Sequence, residues 1–390
     1  MALDLSAMPA IDSHCHPWLS DTLLELDPGG FEDRTTMMGM CQLTSAHGGD
    51  LQSRVARFTD STPFALFLRR RLAQVLDVDP TREAVAEARR QAFSADAPGY
   101  VRRLLEDAGL EAVLYDEGYP QPTISFDEFT RECPTRLHRV GRIEPWIAAL
   151  REDCGSYDEL EDAFEAQLEQ ELTDPRLVAF KSVIAYRTGL DVGDPPVEEA
   201  RAAFDRWRAG GFAETRADAK PVRDRLLRLT FRCAAERRLP IHIHTGGGDP
   251  DVVLGFARPS ELFGLLSDFP DHPTVLIHSG NPWIEEAAYL ASILPELYLD
   301  MSVMLPWHSL AIDQKLEVLL GVAPPAKVLY GSDEASEPEV LGLSAHIARA
   351  SLTRVLTKAV DDDWLTSAEA TGIGEAVLAG NTRMLHGLGG

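Results

Sequence analysis

The chain has 390 residues, with 62 Asp plus Glu against 37 Lys plus Arg, a formal net charge of −25 at pH 7. Such an excess of negative charge repels phosphodiester backbones and anionic headgroups, which argues against nucleic acid and membrane surfaces as partners. With 45% hydrophobic and 25% charged residues the composition is that of a globular protein with a large core, and no run of about 18 apolar residues suggests a membrane span. The five cysteines (Cys15, Cys41, Cys133, Cys154, Cys233) are odd in number and scattered, as reduced thiols would be. The N-terminus lacks the basic start and apolar run of a signal peptide, so the expected location is cytoplasmic.

The first β-type run is MPAIDSHCH (8–16). From about 18 to 110 there is little strand character; RVARFTDSTPFALFLRRRLAQVL and EAVAEARRQAF carry helical spacing of apolar residues, and the stretch reads as a mostly helical insertion or lid. EAVLYDEGY (111–119) and LHRVGRIEPW (137–146) follow as strands, then an acidic helix around 156–172 and a buried strand, LVAFKSVIAY (177–186). PVEEARAAFDRWRAG and VRDRLLRLTFRCAAERR read as returning helices. The second half alternates more regularly: LPIHIHTG (239–246), TVLIHSG (274–280), LYLDMSV (297–303) and KVLYGSD (327–333) are strands separated by helical segments, and two more helical segments close the chain. Eight strands alternating with helices predict an α/β fold, a single (β/α)8 TIM-type barrel over 1–390 with the insertion after strand 1. A doubly wound open sheet competes, but no GxGxxG or GxxxxGK[ST] loop supports a nucleotide site.

Histidines gather at strand ends: His14 and His16 at the first strand, His242 and His244 at the fifth, His278 at the sixth. In a parallel barrel all strand C-termini open on one face, so these residues converge there. The side-chain period of two puts His14 and His16 on one side, and likewise His242 and His244, while Cys15 points away into the core. A same-strand imidazole pair, a third imidazole from another strand and the carboxylate of Asp333 at the eighth strand form a plausible chelate for a divalent metal. A lone strand-end histidine is more often an ordinary hydrogen-bonded residue; the joint pattern carries the inference.

Together IDSHCH, LPIHIHTGGGDPD, VLIHSG, VLYGSD and the closing GNTRMLHGL resemble the amidohydrolase superfamily. The nearest likeness is to the amidohydrolase-2 group, in the branch that also occurs fused to glutamine-synthetase-like domains; FKSVIAYRTGL (180–190) resembles a segment of the same branch. The resemblance covers strand 1 and nearly everything from about 110 onward, and leaves 18–110 unmatched. It implies His14, His16 and His244 as metal ligands, with Asp333 holding the metal or its water and moving protons. His278 would be a second ligand in a two-metal enzyme or would polarise the substrate in a one-metal enzyme, and His242 would line the lumen. Lys181 would be carbamylated between two metals, or an ammonium pairing with a substrate carboxylate. Arg187 is a candidate carboxylate clamp. Asp116 and Glu117 could contact substrate or hold Lys181, and Trp307 and His308 could form a pocket wall.

The function these residues imply is metal-dependent hydrolysis of a C–N, amide-type bond in a small anionic, carboxylate-bearing substrate. The ion expected is Zn²⁺, with Mn²⁺ or Fe²⁺ as alternatives, one ion rather than two. The same group also includes metal-dependent decarboxylases and hydratases, so a lyase acting on a small aromatic or unsaturated acid is the first alternative; a catalytically silent binding barrel is the second. Apolar residues in the insertion such as Phe64, Leu66 and Phe67 suggest a homodimer surface.

Overall fold

The computed structural model describes residues 3–20, 28–39, 51–248, 252–334 and 337–389. Cys41 and the segment 249–251 of the GGGDPD motif lie outside the described residues. Eight parallel strands pair in sequence order: β1 (Ala10–Cys15), β2 (Leu110–Asp116), β3 (Arg136–Arg142), β4 (Leu177–Ser182), β5 (Ile241–His244), β6 (Thr274–Ile277), β7 (Leu297–Asp300) and β8 (Val328–Leu329). The seam is drawn together past the end of β8, where Ser13 N donates to Tyr330 O at 2.9 Å, Asp333 N to His14 O at 2.9 Å and His16 N to Glu334 O at 2.6 Å. The result is a (β/α)8 barrel, nearly closed, with helices around it.

Several strands are shorter than the sequence suggests, chiefly at the C-terminal end. The run 177–186 leaves the ladder after Ser182 and forms a single 3₁₀ turn, Ile184–Tyr186. The run 137–146 becomes a helix, Ile143–Asp153, as soon as β3 ends; Pro145 sits in its first turn, where a missing N–H costs nothing. At the ends of β7 and β8, side chains replace the ladder. Asp300 accepts from Ser13 Oγ at 2.7 Å and from Ser302 N at 3.0 Å, so polar residues that would continue a strand turn into the loops instead.

The N-terminal end of the barrel is apolar and stoppered by the chain's own C-terminus. Ile11, Ala112, Leu114, Val140 and Val178 pack with Ala379 and Leu388, and Val275, Ile277 and Leu329 pack with Leu385. Asn381 Nδ2 donates to Val328 O at 2.8 Å and Arg136 Nη1 to Gly389 O at 2.9 Å, both at the first residue of a strand, which fixes this segment at the base. A much larger apolar cluster fills the space between the barrel and its surrounding helices, and among the described residues no helix is long and apolar enough to cross a membrane.

Between β1 and β2 the described insertion is helical: α1 (Pro28–Arg34), α2 (Leu51–Thr59), α3 (Pro63–Leu76) and α4 (Arg82–Asp107), the last kinked at Asp96 just before Pro98. α3 and α4 pack on the long helix Pro338–Asp361 that follows β8. Ion pairs join them internally and to that helix: Arg69–Glu32 at 2.6 Å, Arg82–Asp33 at 2.8 Å and Arg89–Glu339 at 2.5 Å. Phe64 is buried in this packing, and Leu66 and Phe67 are only partly exposed, so the apolar residues read as a surface belong largely to the internal interface. Arg69 and Arg71 are likewise occupied, by Glu32 and Asp60 and by Asp107.

Candidate active site at the barrel mouth

The C-terminal ends of the strands bring His14, His16 and Asp333 together, with one ligand atom from each lying within 4.8 Å of the others, all three residues buried. Asp333 Oδ1 is 3.1 Å from His14 Nε2, 3.7 Å from His16 Nε2 and 3.9 Å from His278 Nε2. Lys181 Nζ lies 3.5 Å from His14 Nε2. His244 stands beside this group; its ring packs against His278 at 4.6 Å and against Tyr186 at 4.2 Å, and its buried Nε2 has no partner among the described residues. His242 sits one layer deeper, with Nε2 2.9 Å from His386 Nε2 of the C-terminal segment, consistent with a lumen position.

The tautomers can be inferred from the partners. His16 Nδ1 is 3.3 Å from Asp116 O; a carbonyl only accepts, so Nδ1 carries the proton and Nε2 turns a lone pair toward Asp333. His278 Nδ1 is 2.8 Å from Ser302 Oγ. Ser302 Oγ in turn donates to Asp300, which also accepts from Ser13 Oγ and from the backbone N–H groups of His278 and Ser302. With its proton given to that carboxylate, Ser302 accepts from His278 Nδ1–H, and His278 Nε2 also presents a lone pair to the centre. Gly331 permits this arrangement, since a Cβ there would overlap Asp300 Oδ2.

Charges follow from burial and neighbours. Burial disfavours the Asp333 anion, but His278, His14 and His16 around it outweigh that and hold its carboxyl well below the usual range. Burial pushes His14 well below 6.5, helped by the Lys181 ammonium, and pulls His278 down to about 4. Burial lowers Lys181 to about 8. Beneath the site, burial raises Asp12 to about 8, although its Oδ1 accepts from His14 N at 3.0 Å and Ser332 N at 3.1 Å.

These residues therefore set a buried carboxylate among imidazole nitrogens that converge on one point. His14 Nε2 faces both a carboxylate oxygen and an ammonium and cannot serve both as donor and as acceptor. A divalent cation relieves this conflict, which is the test that the donor set fits a metal. His14, His16 and Asp333 are the residues placed to hold it.

Strain concentrates at the same end. His278 (φ 69), Ser279 (φ 46), Val303 (φ 64) and Asp333 (φ 60) adopt left-handed conformations in the loops after β6, β7 and β8. Non-glycine residues there cost about 1–3 kcal/mol each, and such strain persists where surrounding contacts enforce it.

Other expected residues fall elsewhere. Arg187 follows the 3₁₀ turn and is exposed, with no hydrogen bond or ion pair joining it to the cluster among the described residues. Glu117 pairs with Arg139 at 2.9 Å, outside the group. Asp116 is buried and bound to Arg142. Trp307 donates to Thr35 O at 2.9 Å and His308 Nε2 is 3.2 Å from Asn281 Nδ2, which ties the loop after β7 to the insertion and to the β6 loop. Cys15 is buried in the outer core, and none of the four described cysteines forms a disulfide. Sequence reasoning missed Ser302 and Asp300, visible only as a polar end to LYLDMSV, and Arg142, whose position depends on strand register.

The chain is similar to known proteins in sequence and in fold. The amidohydrolase family model (Amidohydro_2) matches residues 154–374, more than half of the chain. Protein fluG of Emericella nidulans is 29% identical over 334 residues, 78% of this chain, and the chain spans 38% of that protein's length. A Lactobacillus casei protein designated a metal-dependent hydrolase superposes with a TM-score of 0.83 at 21% identity, over 99% of this chain and 98% of that one. Glucuronate isomerase from Caulobacter crescentus gives 0.69 at 17% identity, over 99% and 92% of the two chains. A uronate isomerase from Bacillus halodurans gives 0.67 at 14%, over 98% and 94%. At these identities the structural likeness is one of fold, whereas the family match extends through β4–β7, β8 and Asp333. The chain belongs to the amidohydrolase family.

Proposed function

We propose that the protein is a metal-dependent amidohydrolase that hydrolyses the C–N bond of a small, carboxylate-bearing substrate. The observation that carries this reading is the convergence of His14, His16 and Asp333, with His16 locked in the tautomer a metal ligand needs. A divalent ion there, Zn²⁺ foremost, supplies Lewis acidity and lowers the pKa of water toward neutrality. His244, whose buried Nε2 has no partner among the described residues, is the neighbouring imidazole best placed to add to the donor set.

Asp333 is the proton carrier. It is anionic at neutral pH, buried, and within reach of the imidazoles that define the reacting position. In this role it takes a proton from the attacking water and returns it to the departing amine. His278 presents a lone pair rather than an N–H and resists protonation. It therefore suits a metal ligand better than a donor to an oxyanion. Among the described residues of the insertion, the segment 28–39 is tied to the mouth loops by Trp307–Thr35 and by Arg34–Glu337 at 2.6 Å, which supports a role for it in restricting access.

The deciding experiment is elemental analysis of the purified protein together with assays of amine and CO₂ release over a panel of N-substituted amides of small dicarboxylic acids and aromatic acids. About one equivalent of metal with amine release is expected. CO₂ release without amine identifies the lyase alternative, and full activity of metal-free protein overturns the reading.

A further inference from the structure

Arg142, the last residue of β3, stands in register with Lys181 of the neighbouring strand β4. Strands lie about 4.8 Å apart, so two cationic side chains leave adjacent positions at the barrel mouth. Asp116 is the anion hydrogen-bonded to Arg142; Glu144 also lies near Arg142, and Asp333 and Asp300 near Lys181. Arg142 spends its Nε and Nη2 on Asp116, with Nε 2.9 Å from Oδ1, while Nη1 makes no hydrogen bond among the described residues and is not closed off from solvent. Lys181 is 1% exposed, and among the described residues its Nζ makes only the 3.5 Å contact to His14 Nε2.

The arrangement is rigidly held. The side chain of Arg142 is 14% exposed, and that of its partner Asp116 is fully buried. Asp116 Oδ1 also accepts from Gly118 N at 3.0 Å. The Gly118 backbone presses on the aliphatic part of Arg142 so closely that a Cβ would overlap Cδ and Nε. A guanidinium fixed on one edge with a free N–H on the other is preorganised for an oxyanion. The neighbouring ammonium supplies a second donor, and the pair borders the metal group directly through His14.

We propose that Arg142 Nη1 and Lys181 Nζ form the subsite for the substrate's carboxylate, in place of the exposed Arg187. The proposal deepens the hydrolase reading and rests on it for the word substrate; the anion preference itself is a property of the mouth that binding alone can measure. It places the recognised carboxylate on the β3–β4 side of the metal group, so substrates carry an acid group a short distance from the scissile bond.

The test is calorimetric titration of the purified, metal-loaded chain with a series of dicarboxylates from malonate to adipate and with their neutral diamides. Wild type should bind at least one diacid tenfold or more tightly than its diamide. Arg142→Gln should lose that preference by tenfold or more, Arg142→Lys by a smaller factor, and Arg187→Gln by less than twofold, with metal content unchanged in each. Because Arg142→Gln strands Asp116, the double variant Asp116→Asn/Arg142→Gln is measured too and should show the same loss with wild-type thermal stability. The proposal fails if no diacid is preferred, if either Arg142 variant binds like wild type, or if Arg187→Gln carries the loss. Failure of the hydrolase reading would show separately, as absent amine release beside intact diacid binding.

Discussion

The two ends of this barrel are built on opposite principles. At the base, strand residues such as Ile11, Leu114 and Val140 meet Ala379 and Leu388 in apolar contact. At the mouth, the same strands end in His14, Asp116, Arg142, Lys181 and His244, all but Arg142 buried. The loops there bend through left-handed conformations at His278, Ser279, Val303 and Asp333. The base gains free energy by excluding water, whereas the mouth holds charged and lone-pair groups that oppose burial until a cation and an anion join them. One end contributes stability, and the other places that stability at the disposal of chemistry.

Four changes sharpen or break this contrast. The largest effect is expected from Asp333→Asn, which should reduce turnover by about 10²–10⁴-fold with an unchanged unfolding midpoint; wild-type turnover would remove Asp333 from proton transfer. Next is Leu114→Ala at the fully buried base, which should cost about 2–5 kcal/mol in urea unfolding while metal content per folded molecule stays constant. Equal losses of metal and stability would show that the two ends are not separable.

A smaller effect is expected from Ser302→Ala. It frees the His278 tautomer and should weaken metal affinity or activity by about 10–100-fold, with Ser302→Thr recovering part of it; an unchanged activity–pH profile in the alanine variant would show that the Ser302–Asp300 link is only structural. The smallest concerns acid. Burial holds His386 at about 4 in the folded protein against roughly 6.5 unfolded. The unfolded chain therefore takes up the proton first. The resulting stability is complete above about pH 6.5 and is lost as pH falls toward 4. His386→Gln should flatten that acid limb by on the order of 1–3 kcal/mol. Chevron or urea midpoints at pH 7.5 and 5 with the wild-type slope would place the acid sensitivity elsewhere.

How much of this was legible in the sequence follows the same division. The eight strands and the HxH pair could be read because period two and the alternation with helices are local signals, and Asp333 because it ends an apolar run. Arg187 is a candidate clamp on the chemistry of its guanidinium, and the 3₁₀ turn Ile184–Tyr186, which the sequence does not announce, leaves it exposed. Arg142 could not be preferred without knowing that β3 and β4 pair Arg142 with Lys181. Ser302 and Asp300 look like any polar strand end; their task appears only when β7 lies beside β6 and brings them under His278. The insertion's Phe64 looked exposed because the surface it covers, helix Pro338–Asp361, is far away in the chain.

The seam between β1 and the residues after β8 has a further consequence for how the protein comes into being. His14 leaves the ribosome 319 positions before Asp333, whose N–H bonds to the His14 carbonyl. A nascent chain thus carries a pair of imidazoles long before the carboxylate that completes the set exists, and the C-terminal stopper arrives later still. Such long-range closure makes for slow folding. It also means that a chain interrupted before Asp333 lacks the carboxylate, so the donor set can assemble only in molecules synthesised past that position.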